Sequence, residues 1–385
     1  MMEISNGVEF VERKGRGRCA IATKSHQPGS VVMETASIIP CVLKDELWDD
    51  RCWNCLDRVG TETVSRKKCS ACSIARYCSK DCHKVHWGLV HRRECAHLKK
   101  ITLRCPQHLW VNVLALARVL LLEVGGKVEE MENHLDDRCN FEDSKQIVEE
   151  CEQFFPNLFI HLEQSKATEL VMRFQYNNFF VVDELMNSIA AGIYPKGALL
   201  NHSCEPNCVL SYHTDKTTGK TFQRIVSVAE DVQPGFEFCH PYCDTIWSTA
   251  RRRAHLEEMY KFTCTCGLCT GNNENDSGSE VSEPAKIAKE SGELLTAALE
   301  EGNYTDAEHY CRQLLYVYRD VYHKYHPLIG LQYLTLADIQ VQLDCDSEQA
   351  FANLEHARAI FKVTHGEKSK LFDILEQMKK NVAGV

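Results

Sequence analysis

Eight cysteine and histidine residues in short-spaced pairs constrain the fold of this chain most. They form two Cys-x2-Cys pairs, one Cys-x3-Cys pair and one His-x3-Cys pair, and they are Cys52, Cys55, Cys69, Cys72, Cys78, Cys82, His91 and Cys95. Eight sulfur and nitrogen donors suffice for two closed tetrahedral zinc sites. A segment this short has almost no apolar core of its own, so we expect bound zinc to stabilise its fold.

A second, smaller cysteine group follows much later in the chain. The motif "CTCGLC" contains Cys264, Cys266 and Cys269, which leaves a tetrahedral zinc site one ligand short. Cys204 in "LLNHSCEPNC" is the candidate for the fourth ligand, and the alternative is an ordinary buried cysteine. The chain is therefore expected to bind three zinc ions.

The cysteine content also bears on the cellular compartment. The chain has 21 cysteines, and its N-terminus "MMEISNGVEFVERKG" lacks the apolar core of a signal peptide. We therefore expect a reducing compartment, in which thiols bind metal or pack as small apolar groups. The longest apolar run, from Leu109 to Val124, contains Asn112 and Arg118, so we predict a buried helix and no association with membranes.

Charge is unevenly distributed. The chain has a net charge of −10, whereas residues 51–104 contain 13 Lys and Arg against 4 Asp and Glu. A basic module of this kind could contact nucleic acid or an acidic partner. Alternatively, the cations balance the negative charge of zinc-bound thiolates. Contact with nucleic acid therefore stays open.

The remaining patterns predict an α+β fold. Short β-rich runs with Gly and Pro-Gly turns occupy residues 5–45 and 192–243, and apolar-periodic helical segments occupy most of 100–190. The segment "TGNNENDSGSEVSEP" at 270–284 has the composition of a linker. Residues 285–385 read as helices, and two weakly similar segments suggest stacked helical hairpins of tetratricopeptide type.

The early cysteine module resembles the MYND finger, because "RYCSKDCHKVHW" and "HRREC" match that family closely. The resemblance implies interleaved pairs. One zinc would be held by Cys52, Cys55, Cys78 and Cys82, and the other by Cys69, Cys72, His91 and Cys95. The family usually has two residues between Trp87 and the ligand histidine, but this chain has three, so His86 is an alternative ligand to His91.

Four further motifs resemble a SET methyltransferase with a post-SET cysteine cluster. In chain order they are "KGRGRCAIATKSHQPGSVV", "NHSCEPNC", "VAEDVQPGFEFCHPYCD" and "CTCGLC". With the finger and the helical C-terminus, the whole chain resembles the SMYD family of protein lysine methyltransferases. The implied domains are a SET domain in two parts (1–48 and 191–243), a MYND finger (49–98), a helical insert (99–190), a post-SET zinc segment (244–270), a linker (271–284) and a tetratricopeptide-like domain (285–385).

The resemblance also implies an activity and the residues for it. The activity is methyl transfer from S-adenosylmethionine to lysine side chains of histone or other proteins. The implied cofactor-binding residues are Gly15, Arg16, Gly17, Asn177, Asn201, His202, Tyr242 and Phe262. Those of the substrate channel are Phe179, Tyr242 and Tyr260, and Tyr242 is the catalytic residue. A free lysine has a pKa of about 10.4, so the channel must favour the neutral amine by desolvation.

Two other functions remain open from the sequence. In a thiol enzyme, His202 would be the base and Cys204 the nucleophile. In a non-catalytic adaptor, the finger and the helical C-terminus would bind protein partners and the SET part would be a relic. For the methyltransferase we expect lysine-containing protein tails as substrates, a monomer, and a location in the cytoplasm and nucleus.

Overall fold

The computed structural model describes residues 4–61, 64–131, 138–271, 281–343 and 347–383. The fold is α+β, as predicted. Most of the predicted linker, residues 272–280, lies outside the described residues. Among the helices of the described ranges, none is both long and apolar enough to cross a bilayer.

The N-terminal region is built from strands. They are β1 (Ile4–Ser5), β2 (Val8–Arg13), β3 (Gly17–Ala22), β4 (Val31–Ala36) and β5 (Val42–Leu43). β2 and β3 pair as an antiparallel hairpin. Residues Cys19 to Ala22 of β3 are buried, so this strand carries the apolar side of the hairpin into the core.

The cysteine module follows as a small unit. It contains the paired strands β6 (Lys67–Lys68) and β7 (Arg76–Tyr77), and then α1 (Lys80–His86). Ser79 caps α1, because its hydroxyl accepts a hydrogen bond from the Cys82 N–H at 3.0 Å. A π-helical turn over Trp87–His91 connects α1 to α2 (Arg92–Arg104).

Four helices form the insert. They are α3 (Trp110–Leu121), α4 (Gly125–Glu129), α5 (Arg138–Phe154) and α6 (Gln164–Asn177). The apolar run predicted as a buried helix is α3, in which all seven residues from Val113 to Val119 are buried. The insert and the cysteine module share one hydrophobic core, so neither packs as an isolated domain.

Strands return immediately after α6. They are β8 (Asn178–Val182), β9 (Ser188–Ile193), β10 (Asn201–His202), β11 (Cys208–Asp215), β12 (Lys220–Ser227) and β13 (Glu237–His240). β8 and part of β9 fall inside the segment 99–190 that was predicted to be helical. The sequence "NFFVV" of β8 is aromatic and β-branched, which favours an extended backbone paired with β9.

The sheets bring distant segments together. Two four-stranded sheets have the strand orders β1-β4-β12-β11 and β10-β13-β3-β2, and β5-β9-β8 forms a third. The pairing of β10 with β13 is parallel and sets Asn201 opposite Cys239 and His202 opposite His240. β13 also pairs with β3, so the β2–β3 hairpin lies beside the "NHSC" turn.

The C-terminal third is helical. It comprises α7 (Thr249–Tyr260), α8 (Gly267–Thr270), α9 (Glu283–Glu300), α10 (Tyr304–Val321), α11 (Pro327–Gln342), α12 (Ser347–Thr364) and α13 (Lys370–Ala383). Successive helices from α9 to α13 pack on one another around a common core, which also contains Ile246. Tyr322 donates a hydrogen bond to Asp244 at 2.8 Å, and Arg224 donates to the His365 carbonyl at 3.0 Å. These contacts dock the helical array on the sheets.

Candidate active site and metal centres

The structure gathers the eight finger ligands into two groups of four. Within each group the donor atoms all lie within 4.8 Å of one another. The first group is Cys52, Cys55, Cys78 and Cys82, and the second is Cys69, Cys72, His91 and Cys95. These are the interleaved sets that the MYND resemblance implies.

The spacing of the donors fits zinc. A tetrahedral site with Zn–S bonds of about 2.3 Å separates its sulfurs by about 3.8 Å. The sulfurs of Cys55 and Cys78 are 3.6 Å apart, and those of Cys69 and Cys95 are 3.7 Å apart. His91 Nε2 lies 3.7 Å from Cys72 Sγ. The 19 cysteines whose side chains the structure describes are all free thiols, so no disulfide competes with the metal among them.

The π-helical turn explains how His91 reaches its cluster despite the unusual spacing. A π-turn holds one more residue than an α-turn. Three residues separate Trp87 from His91, one more than is usual in the MYND family, and all three lie within this turn. His91 therefore joins the thiols, and His86 is not in that group.

His86 belongs to a buried polar network behind the second cluster. Its Nδ1 is 3.0 Å from the Tyr77 hydroxyl, and its ring stacks on His91 with centroids 5.5 Å apart. Its Nε2 lies 3.9 Å from Glu94 Oε1, and His91 Nδ1 lies 3.7 Å from the same oxygen. Glu94 therefore faces the ring of the ligand histidine on the side away from the thiols.

Arg118 of α3 neutralises Glu94. Its guanidinium donates two hydrogen bonds to the carboxylate, at 3.0 and 2.9 Å, and both side chains are almost fully buried. Burial alone would raise the pKa of Glu94, but the Arg118 charge lowers this pKa below its ordinary value. Arg118 also donates to the Cys41 carbonyl at 2.8 Å. The network thus connects the second cluster to the insert and to the segment before β5.

The third cluster combines two distant segments. The sulfurs of Cys204, Cys264, Cys266 and Cys269 lie within 4.8 Å of one another. Cys204 Sγ is 3.5 Å from Cys269 Sγ and 4.0 Å from Cys264 Sγ, which again fits a tetrahedral zinc ion. Buried Arg252 lies 3.7 Å from Cys269 Sγ, a cation suited to a four-thiolate site with net negative charge.

A cavity of about 830 Å³ opens beside this cluster. All ten residues predicted for cofactor binding and for the substrate channel line it. They are Gly15, Arg16, Gly17, Asn177, Phe179, Asn201, His202, Tyr242, Tyr260 and Phe262.

The hairpin loop and the "NHSC" turn form one side of the cavity. Gly15 and Gly17 have φ angles of 78° and 63°, a region that favours glycine, and the space beside each is open. The Asn201 amide donates to the Arg18 carbonyl at 3.1 Å and to Glu237 Oε1 at 2.8 Å. The other oxygen of Glu237 pairs with Arg16 at 3.2 Å. Glu237 therefore fixes the loop and the turn relative to each other.

His202 has partners at both ring nitrogens. Its Nδ1 accepts a hydrogen bond from the Tyr242 N–H at 2.9 Å, and its Nε2 lies 3.2 Å from Cys204 Sγ. Burial lowers the pKa of His202 to about 3, so the ring is neutral. A hydrogen bond from the His202 ring to a cofactor would have to displace one of these contacts, whereas a bond from its backbone would not. In this arrangement the ring positions Tyr242 and Cys204, and His202 also lines the cavity, as predicted.

The contact between His202 and Cys204 also bears on the thiol-enzyme alternative. The two side chains touch, as that alternative requires. Cys204, however, sits among three other thiols at metal-site distances, and it does not belong to the cavity lining. The nucleophile of a thiol enzyme must face the substrate that is bound in the cavity, so this arrangement favours a metal ligand.

Aromatic rings form the other side of the cavity. The rings of Tyr242 and Tyr260 have centroids 4.7 Å apart, and Phe262 lies 6.4 Å from Tyr242. The Tyr242 hydroxyl donates to the Leu200 carbonyl at 2.6 Å. Burial raises the pKa of both tyrosines above the ordinary value, so both phenols stay protonated at neutral pH.

Two residues of this site were missed from the sequence. Glu237 begins β13, and His240 ends it with its ring between those of Phe179 and Tyr242, at 5.7 and 4.9 Å. His240 Nδ1 lies 3.1 Å from the Pro241 carbonyl, while its buried Nε2 has no hydrogen-bond partner among the described residues. An acidic residue and a histidine in "FEFCHPY" were the available signal, but the β10–β13 pairing was needed to place them.

Comparison with known proteins agrees with this geometry. Residues 52–95 match the family model of the MYND finger. Histone-lysine N-methyltransferase SMYD3 of Mus musculus is 26% identical over 440 residues, which cover 97% of this chain and 98% of that protein. N-lysine methyltransferase SMYD2-A of Danio rerio is 26% identical and covers 79% of this chain and 71% of its own length.

Two further similarities are more distant. Histone-lysine N-methyltransferase ASHR1 of Arabidopsis thaliana is 22% identical over 94% of this chain and 92% of its own length. The crystal structure of the SET domain of LSMT bound to lysine and AdoHcy is 14% identical, covers 99% of this chain and 88% of that chain, and has a TM-score of 0.33.

Proposed function

Since this chain belongs to the SMYD family of SET and MYND domain-containing proteins, we propose that it transfers methyl groups from S-adenosylmethionine to lysine side chains of proteins. The observation that carries the proposal is the cavity. It joins a glycine-containing polar loop to a cluster of aromatic rings. A methyl donor and an amine acceptor need two such different environments next to each other.

The polar side suits the methyl donor. S-adenosylmethionine supplies an electrophilic methyl group on a sulfonium, carried by a base, a ribose and a charged amino acid. Gly15 and Gly17 leave open space in which backbone can approach a ligand closely. Arg16, Asn177 and Asn201 add a cation and two amides to the lining of the cavity. Glu237 holds Arg16 and Asn201 in place, which preorganises the wall before a ligand binds.

The aromatic side suits the lysine. Transfer of the methyl group requires the neutral amine, and an apolar channel lowers the pKa of a lysine by desolvation. Tyr242, Tyr260, Phe262 and Phe179 line the cavity and would exclude water from the reacting atoms. The Tyr242 phenol is held by its bond to Leu200, so its oxygen can accept a hydrogen bond from the amine in a fixed place. Tyr242 is the proposed catalytic residue.

We extend the proposal to the domains, partners and location of the protein. The sheets and insert form a SET domain, residues 244–270 a post-SET zinc segment, and residues 285–385 a tetratricopeptide-like domain that limits access of substrates. Three zinc ions would hold the finger and the post-SET segment. The substrates are lysine-containing tails of histones or other proteins, and the finger and the helical array bind further partners. The protein acts as a monomer in the cytoplasm and nucleus.

The test is methyl transfer by the purified zinc-loaded protein. Labelled S-adenosylmethionine is supplied with histones and with a cell lysate, and the labelled lysines are identified by mass spectrometry. Asn201→Ala, which removes an amide from the donor side, is compared with wild type. We expect methylated lysine with wild type and far less with the variant. Binding of S-adenosylmethionine without transfer to any protein would favour the adaptor, and absence of both would overturn the proposal.

A further inference from the structure

A fifth thiol lies beside the third cluster. Cys243 Sγ, Cys204 Sγ and a ring nitrogen of His202 lie within 4.8 Å of one another. Cys243 is not part of the four-thiol group to which Cys204 belongs. A tetrahedral zinc ion takes four donors, so Cys243 remains a thiol next to a ligand thiolate.

The surroundings of this pair connect it to the cavity. Cys204 and Cys243 are both buried, and they pack with Tyr242, Tyr260 and Phe262 in one small apolar cluster. Two other ligands of the site, Cys264 and Cys266, line the cavity, and Cys266 is only half-buried. A small oxidant that enters the cavity therefore reaches Cys264 and Cys266, whose sulfurs lie within 4.8 Å of Cys204 Sγ.

We propose that Cys204 and Cys243 form a disulfide when a hydroperoxide oxidises the third cluster. In the first step, the Cys204 thiolate attacks the peroxide. An S–O bond forms, the O–O bond breaks, and the leaving oxygen takes one proton from solvent and departs as an alcohol or water, so that Cys204 becomes a sulfenic acid and the peroxide is reduced by two electrons. In the second step, the Cys243 thiol attacks the Cys204 sulfur, the S–S bond forms, and the oxygen leaves as water.

The disulfide removes one ligand from the metal site. Three thiolates remain, which is too few for a closed tetrahedral zinc site, so the zinc is released. His202 loses the thiolate beside its Nε2. Tyr242 is also affected, because it directly precedes Cys243 in the chain. The pair is thus a modification site for peroxides whose oxidation also disturbs one wall of the cavity. This inference rests on the zinc fit and not on the proposed methyl transfer.

The experiment uses the full-length zinc-loaded protein with hydrogen peroxide as the probe. Released zinc is followed with a chromogenic chelator, and disulfides are mapped by mass spectrometry after the remaining thiols are blocked. Cys243→Ser removes the second thiol. Cys311→Ser is the matched control, because Cys311 is a buried thiol outside the clusters whose sulfur accepts a hydrogen bond from Gln332 that a serine oxygen can also accept.

Wild type and Cys311→Ser should form a Cys204–Cys243 disulfide and release one zinc, and a reductant with added zinc should restore the site. Cys243→Ser should release this zinc at least about fivefold more slowly, because the other three sulfurs near the Cys204 sulfenic acid are thiolates bound to zinc and only Cys243 is a free thiol. Release from Cys243→Ser at the wild-type rate would overturn the proposal. So would mapped disulfides that join Cys204 to Cys264, Cys266 or Cys269 instead. Neither readout depends on methyl transfer.

Discussion

Tyr242 donates its backbone N–H to His202 Nδ1 at 2.9 Å, while the other nitrogen of the same ring lies 3.2 Å from Cys204 Sγ. One neutral imidazole therefore connects the proposed catalytic tyrosine to the third metal centre. The resemblance to SET proteins placed His202 at the cofactor. The contacts assign it first to holding the two residues on either side of it.

Replacing His202 with alanine should therefore affect more than cofactor binding. The change leaves the buried Tyr242 N–H without its acceptor, a loss of about 1–3 kcal/mol, and removes the ring nitrogen that lies beside the Cys204 thiolate. We expect faster loss of one zinc to a chelator and weaker binding of S-adenosylmethionine, measured by chelator kinetics and calorimetry. His202→Asn keeps an acceptor near the Nδ1 position and should retain part of both. Unchanged zinc retention in a folded His202→Ala variant would contradict this assignment.

Replacing Tyr242 with phenylalanine should separate catalysis from binding. The ring and its packing against Tyr260 remain, so folding and zinc content should hold. By analogy with the loss of one oxyanion donor, we expect a rate of methyl transfer roughly 10²–10³ lower, with a much smaller change in cofactor affinity. Both are measured on the same preparation. Tyr260→Phe is measured for comparison. Full activity in Tyr242→Phe together with a loss of activity in Tyr260→Phe would mean that Tyr260, and not Tyr242, is the catalytic residue.

Metal analysis should find three zinc ions for each chain. They correspond to the three groups of four donors. Cys204→Ser should reduce the count to two, since a serine hydroxyl is a poor replacement for a thiolate. Cys311→Ser should leave three. A count of two in the wild type after purification without chelators would mean that the third cluster holds only thiols.

Removing only one partner of the buried ion pair between Glu94 and Arg118 should lower the free energy of unfolding strongly. Arg118→Met removes the cation and leaves the Glu94 carboxylate buried without its partner, for which we expect a loss of about 3–5 kcal/mol in the free energy of unfolding. Adding Glu94→Gln to Arg118→Met should recover part of that loss. Arg104→Met, at an exposed arginine, is the control. Chemical denaturation measures the wild type, both single variants, the double variant and the control, and additive losses in the double variant would exclude the coupling.

Acid should destabilise the fold through His240. Burial lowers the pKa of its ring to about 4, below the value of about 6.5 in an unfolded chain. As the pH falls, His240 is therefore protonated in the unfolded chain before it is protonated in the folded protein. The stability that the buried neutral ring provides is complete above about pH 6.5 and is lost as the pH falls towards about 4. The loss amounts to about 3 kcal/mol at most. His240→Phe keeps a ring between Phe179 and Tyr242, and its unfolding free energy should fall less than that of wild type between pH 7 and 5.

The sequence predicted the metal centres better than the cavity. Close pairs such as Cys52 and Cys55 mark ligands locally, but pair spacing does not say which pairs share an ion, and the interleaving came from the family resemblance. β8 was predicted to be helical because an apolar segment directly after a helix has the pattern expected for a continuation of that helix. The places of Glu237, His240 and Cys243 depend on the parallel pairing of β10 with β13, which joins segments more than thirty residues apart. Local sequence patterns do not predict which distant strands pair.

Because of the π-helical turn over Trp87–His91, the number of residues between the tryptophan and the ligand histidine does not by itself determine where the histidine lies in space. One residue added to a regular helix rotates everything after it by about 100° around the axis, which would swing a ligand away from its ion. Here the wider turn absorbs the residue, and His91, Cys95 and the rest of α2 keep their orientation. A zinc finger of this kind tolerates a change of length at that turn. In relatives with other spacings, the ligand histidine is therefore better sought by the shape of the turn than by its distance from the tryptophan.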